Sequence, residues 1–381
     1  MRGRGGAVAA IVVAAALMVG AVIVVSVVTR PRSHPTPSVH IDVTSSQGVQ
    51  RVSPLVFGLN TRYGYDAFGS FDPQSRAVSS NLADEVRKTG ITVLRYPGGT
   101  EGNTFQWQQA VGPESQRGCQ AFGGPAEPPA STGGHPLNSD YGPDEAAQFA
   151  AGAGATDDIV VNFATGTPEQ AANWVAYMNA TSGPEASLRA QNGHPAPYGV
   201  KTWEVGNEME DPAQHYWMGT GSGADAAKKY VFGGSTTFAK QPLGRGCDHQ
   251  PTSDQSTGAA NQVFSIYYPP VVATRTKVMV SGSVWTEVRD LNSVGRNSTS
   301  YQLDASTGQV TFGDGVHGAI PPAGASLTAS YTSGPHAGFD DFYRAMKQAD
   351  PSINVCSGFT SSSFLQLMSS NLPYDCLQVH P

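Results

Sequence analysis

Short apolar runs, each ending on a polar or charged side chain and most followed by a helical pattern, recur along this chain. They constrain its fold more than any other feature. Val56-Phe57-Gly58-Leu59-Asn60 is the first clear run, preceded by a short leading strand expected at Val39–Val43. Ile91 to Tyr96 delivers Arg95 and then turns at Pro97-Gly98-Gly99. Ile159 to Phe163 follows, and Val200 to Val205 runs into Gly206-Asn207-Glu208. After an interruption come Ile353 to Ser357 and Asp375 to His380. Helical spacing fills the gaps at Leu82–Thr89, which stops at Gly90, and at Pro143–Ala151, Phe339–Ala349 and Phe364–Ser370. In a further helix Thr167 caps, Pro168 takes the first turn, and Ala171, Trp174, Val175 and Met178 share one face. Strand and helix alternating at this spacing predict parallel βα units.

The βα rhythm is interrupted between about residues 261 and 332, where short alternating runs and the turns Ser306-Thr307-Gly308 and Gly313-Asp314-Gly315 predict a small antiparallel domain. Phe312-Gly313-Asp314-Gly315, with Gly318 and Pro321-Pro322 behind it, resembles a β module of some phage baseplate proteins. No activity is carried over from that resemblance, and the Gly-Asp-Gly segment reads as a plain turn rather than a metal or phosphate site.

Outside these elements the chain is rich in loops, with 44 Gly and 27 Pro in 381 residues. Residues 112 to 142 form a long Gly/Pro/Ser-rich loop, of the kind that walls a cleft. His215, Tyr216 and Trp217 suit either a sugar-stacking wall or ordinary packing. A net charge of -7 without a basic stretch in the body of the chain argues against a nucleic-acid partner. Arg2 and Arg4 precede an apolar run from Ala7 to Val28, as long as the roughly 20 residues a membrane-crossing helix needs. It is expected to be an uncleaved anchor followed by a Pro-rich tether, placing the chain outside the cytoplasm at the cell surface, or secreted if the segment is removed. Cys119, Cys247, Cys356 and Cys376 are compatible with disulfides in an exported chain. The loop residues Cys119 and Cys247 are the preferred pair, with Cys356 and Cys376 as buried thiols. No metal or cofactor is expected, since there is no Cys-x-x-Cys or paired-His spacing.

Four motifs carry the chemistry. Leu94-Arg95-Tyr96-Pro97-Gly98-Gly99, Val161-Asn162-Phe163-Ala164-Thr165-Gly166-Thr167-Pro168, Trp203-Glu204-Val205-Gly206-Asn207-Glu208 and Leu377-Gln378-Val379-His380 occur in this order. Together they resemble the retaining (β/α)8-barrel glycoside hydrolases, most closely the family 51 α-L-arabinofuranosidases. The resemblance implies an α/β chain forming an incomplete TIM barrel of about six βα units. Residues 1–38 are the anchor and tether, 39–260 carry strands one to four, 261–332 are the inserted β domain, and 333–381 carry strands five and six. It implies an acid/base Glu208, with Asn207, Arg95, His380, Asn60 and Trp203 binding an arabinose-containing or related glycan.

Two departures bear on sugar specificity. Thr100 stands where the family has an Asn after Pro-Gly-Gly, with Asn103 three residues on, and Asn60 stands where the family tends to have Glu. A retaining glycosidase needs a second carboxylate about 5–5.5 Å from the first. The family places it on strand seven, and Glu101, Asp211 and Glu287 are not natural substitutes. The expectation is therefore of a fragment without turnover. The rival is a non-catalytic carbohydrate-binding or adhesion protein that works through the β insertion.

Overall fold

The computed structural model describes residues 52–72, 74–118, 120, 139–244, 255–369 and 372–380. The expected anchor, tether and leading strand, the pair Cys119 and Cys247, and most of the long loop lie outside the described residues. Among the described residues no helix is long and apolar enough to cross a membrane.

Six strands form one parallel sheet: β1 (Gly58–Asn60), β2 (Val93–Tyr96), β3 (Thr156–Val161), β4 (Thr202–Val205), β5 (Asn354–Ser357) and β6 (Cys376–Leu377). Their spatial order is their chain order. A doubly wound sheet would reverse direction at a switch point. This one never does, and its register drifts. Arg95 lies beside Asp158, whereas Glu204 lies beside Val160 on one side and Cys356 on the other. Such stagger accompanies barrel curvature, and the curled sheet fits a partial (β/α)8 barrel.

Alternation along the strands separates two layers. Leu94, Tyr96, Ile159, Val161, Trp203, Val205 and Val355 are buried on the helix-facing side. They pack under α1 (Ser80–Lys88), α2 (Pro143–Ala153), α3 (Pro168–Asn179), α4 (Pro184–Gln191), α5 (Gly223–Phe232), α6 (Phe339–Ala349) and α7 (Ser362–Met368). Arg95, Asp158 and Glu204 alternate onto the opposite, concave face.

Helix α3 begins as its sequence dictates: Thr167 Oγ1 accepts the Gln170 N–H, and the Gln170 side chain returns the bond to Thr167 N. Its far end is closed by Arg189 of α4, a helix the periodicity did not single out. The Arg189 guanidinium is fully buried and donates to the carbonyls of Tyr177, Ala180, His194 and Pro195.

The inserted module begins earlier than expected. Thr237–Pro242 pairs antiparallel with Leu327–Thr332, so the first strand lies ahead of residue 261. Two four-stranded sheets enclose a core that includes Phe264, Trp285 and Phe312. The module's aromatics Phe264, Tyr268, Trp285, Tyr301, Phe312 and Tyr331 are all buried. Asp314 accepts the N–H groups of Val316 and His317, which fits the plain-turn reading. The root of the module is a bridge between Gly234 and His336, joining the end of α5 to the start of α6. There the His336 ring stacks on Trp217 with centroids 4.7 Å apart. Trp217 in turn donates to the carbonyl of Phe163, just past the end of β3.

This stacking settles the aromatic loop. His215, Tyr216 and Trp217 are 2%, 6% and 1% exposed, so they are packed instead of forming a stacking wall, and Trp217 braces the module's root. The expectation that Cys356 and Cys376 are buried thiols is also corrected. Cys356 and Cys376 are bonded to each other, because parallel pairing of β5 with β6 sets them side by side.

Candidate active site

The polar strand ends converge where the strands terminate. Arg95, on the concave face of β2, is their hub. Its Nε donates to both oxygens of Glu204, at 3.1 and 2.9 Å, and its Nη2 reaches Glu204 Oε2 at 2.7 Å. Nη1 donates to Asn60 Oδ1 and to the Gly98 carbonyl, and Nη2 also to Asn207 Oδ1 and Gln378 Oε1. One guanidinium thus ties β1, β2, β4 and β6 together. Glu204, 1% exposed, is affordable inside the sheet because this bidentate partner satisfies it.

Asp158 lies on the same face beside Arg95. Burial, reinforced by the Glu204 carboxylate, pushes its carboxyl well above the usual range, against the pull of Arg95. Burial thus favours the neutral form of this acid beside the Arg95–Glu204 ion pair.

Glu208 sits one layer further out, three residues past the end of β4. Its φ of 48° is left-handed, uncommon for a non-glycine residue. Asn103, fully buried in the turn after β2, holds the residue before it. Asn103 Oδ1 accepts Asn207 N at 2.7 Å, and its Nδ2 donates to Asn207 O at 3.0 Å. The Glu208 carboxyl is gripped at both oxygens: His380 Nδ1 lies 2.8 Å from Oε1, and Gln214 Nε2 lies 2.6 Å from Oε2. The His380 hydrogen bond is the largest influence on the carboxyl. With help from Gln214 it holds Glu208 below the usual glutamate range, while burial acts in the opposite direction. The side chain remains 41% exposed, so solvent or a ligand reaches it.

The structure therefore brings Glu208, Asn207, Arg95, His380 and Asn60 together. Trp203 is different: it is fully buried on the helix-facing side of β4, edge-on to Trp174 at 5.9 Å, with no route to a ligand. Its neighbour Glu204 takes the concave face because alternation leaves Trp203 the other side.

Three residues of the network carried no separate expectation: Glu204, Gln214 and Gln378. Gln378 lay inside a quoted motif and Gln214 follows Glu208 by six residues, but neither spacing announces a partner. Asn103 entered only as a departure. The alternative carboxylates are occupied elsewhere. Glu101 is 3% exposed and paired with Arg62 at 2.9 Å, and Asp211 caps the turn at Ala213. Glu287 is exposed in the inserted module.

Part of the chain is similar to known proteins. Residues 85–220 match the α-L-arabinofuranosidase 1 domain. The probable α-L-arabinofuranosidase C of Aspergillus fumigatus is 32% identical over 194 residues, covering 49% of this chain and 36% of that protein. The intracellular exo-α-(1→5)-L-arabinofuranosidase of Halalkalibacterium halodurans is 32% identical over 147 residues, 38% of this chain and 28% of that protein. Among solved structures, the Thermotoga maritima α-L-arabinofuranosidase in its arabinose complex aligns with a TM-score of 0.38 and 27% identity, covering 46% of this chain and 36% of that one. The chain spans about a third of the length of the curated relatives it matches. Over the part it does span, it resembles the family 51 α-L-arabinofuranosidases.

Proposed function

We propose that this chain carries the acid/base half of a retaining glycoside hydrolase acting on an arabinofuranosyl or closely related neutral glycan, with Glu208 as the acid/base. The observation that carries the reading is Glu208 itself: a carboxyl just past the end of the fourth strand, reachable from solvent, with Asn207, Arg95 and His380 around it. Asn207 holds a sugar hydroxyl and Arg95 fixes Asn207. Glu208 protonates the departing glycosidic oxygen and later takes a proton from water. In the free protein His380 and Gln214 favour its charged form. Loading the proton therefore draws on the desolvation that a bound sugar brings, and on a second carboxylate close by.

That second carboxylate, the nucleophile, is proposed to lie outside the described residues. The segment Ala7–Val28 is proposed to anchor the chain outside the cytoplasm, which fractionation of expressing cells tests. For the activity, aryl α-L-arabinofuranosides are offered to the purified protein. Hydrolysis that is abolished in Glu208→Gln is the expected result. Undiminished turnover in Glu208→Gln overturns the role of Glu208.

A further inference from the structure

Every amide around Glu208 has its orientation forced by a group that can only donate. Arg95 Nη2 points at the Asn207 side chain, so the atom it meets at 2.9 Å is the carbonyl oxygen, and the Asn207 NH2 faces Gln214. The backbone N–H of Asn207 points at the Asn103 side chain, so that atom is also the oxygen, and the Asn103 NH2 faces Gln214 as well. Two NH2 groups therefore converge on one atom of Gln214, at 2.8 Å from Asn103 and 3.0 Å from Asn207. That atom is Oε1. The Gln214 NH2 is left pointing at Glu208 Oε2, 2.6 Å away. A half-turn of the Gln214 amide would set donors against donors and its carbonyl against a carboxylate. The chain of assignments starts at a guanidinium and a backbone N–H and ends at the carboxyl.

We infer that Asn103 and Gln214 are positioning residues that reserve Oε2 of Glu208 as a standing hydrogen-bond acceptor, so that any proton Glu208 carries resides on Oε1, facing His380 Nδ1. The catalytic meaning of this rests on the proposed acid/base role, but the placement of the proton does not. Asn103 is fully buried and acts only through its neighbours. Its Nδ2 also lies 3.4 Å from the Tyr216 hydroxyl, and its backbone carbonyl accepts Ala164 N, so the lock ties together the loops that follow β2, β3 and β4. The groups that face the carboxyl are His380, three residues past β6, Gln214 and Asn207, with Arg95 and Glu204 one layer beneath.

The test is a carboxyl-carbon NMR titration of the full chain labelled at glutamate Cδ, with Glu208 assigned by the resonance missing in Glu208→Gln. Gln214→Met removes the donor, and the Glu208 midpoint rises toward that of an ordinary glutamate. Asn103→Ser touches neither oxygen of Glu208 yet removes one of the two NH2 groups that fix Gln214, leaving only that of Asn207, so it also raises the midpoint, by less than Gln214→Met. The double variant rises no further than Gln214→Met alone. The inference is overturned if Asn103→Ser leaves the midpoint at the wild-type value, or if the two effects add. Asn103→Leu, of nearly the same size, repeats the test if the Ser variant loses its fold by circular dichroism. The titration needs no turnover. An inactive chain that shows these shifts upholds the lock, and an active one without them overturns it while leaving the glycosidase reading in place.

Discussion

Asp157 offers the sharpest test of how this sheet holds its charges. It follows Thr156 at the start of β3 and is 6% exposed. Among the described residues no cation forms an ion pair with it. Burial alone lifts its carboxyl from 3.8 to about 7. A carboxyl raised on folding must take up a proton, so its contribution is neutral below the unfolded pKa and becomes a penalty as pH rises to the folded value. At about 1.36 kcal/mol per unit, the full lift corresponds to about 4 kcal/mol above pH 7. Only about 2 kcal/mol of it applies at pH 5, by the same linkage. Asp157→Asn replaces the protonated acid with a neutral group of the same shape and removes the penalty. The variant is therefore expected to be more stable than wild type at pH 8, with an advantage about 2 kcal/mol larger than at pH 5 and small near pH 4. Urea unfolding of both proteins at the three pH values measures this. An advantage that is equal at all three, or a loss at pH 8, refutes the reasoning, since either shows that the Asp157 carboxyl does not gain a proton on folding.

His336, stacked on Trp217 at the module's root, is pushed down to about 4 by burial. Its neutral form is favoured by folding, so wild-type stability falls as pH drops from 6.5 toward 4, and His336→Phe should flatten that limb in unfolding measured across the range. Arg189→Met leaves four carbonyls, of which that of Tyr177 is buried, without their donor and is expected to cost about 3 kcal/mol in urea unfolding. Replacing Cys356 and Cys376 by Ala and Val lengthens the freedom of a 20-residue separation, and a loss of about 3 kcal/mol is expected in the same assay.

What could be read in advance is what period and position encode. Arg95, Asn60, Glu208 and His380 each stand at or just past the end of an apolar run, and the parallel sheet carries every such end to one rim. Trp203 was legible in principle as well, because the alternation that sends Glu204 inward sends Trp203 out. The network among these residues was not legible. Asn103 and Asn207 are 104 positions apart, and Arg95 and Gln378 are 283 apart. No local pattern distinguishes an Asn that ties loops from an Asn that binds a ligand. The aromatic loop failed for a related reason, since a sugar platform and a packed brace call for the same side chains and differ only in what covers them. The strand Thr237–Pro242 was missed because Lys240 and Pro242 break the apolar pattern, and it becomes a strand through its partner Leu327–Thr332. The disulfide needed the register of β5 against β6, which cysteine spacing does not contain.

The saturation of Arg95 bears on which sugars the site accepts. An arginine at the floor of a glycoside site suggests recognition of a uronate carboxyl. Here, however, Nε, Nη1 and Nη2 are all committed, to Glu204, Asn60, Gly98, Asn207 and Gln378, and its charge is matched by Glu204 at 2.7 Å. Arg62, another cation near the rim, pairs with Glu101. A uronate would meet the Glu208 carboxylate with no uncommitted arginine among these, and like charges at about 4 Å repel by about 1 to 4 kcal/mol between water and a protein surface. A neutral pentose meets only hydrogen-bonding groups. On the proposed reading, L-arabinose at pH 7 shifts the Glu208 carboxyl resonance of the full chain, and D-glucuronate at the same concentration and ionic strength does not. Equal or tighter binding of glucuronate would show that Arg95 can leave Glu204 for a ligand. The guanidinium would then be a recognition group instead of a strut.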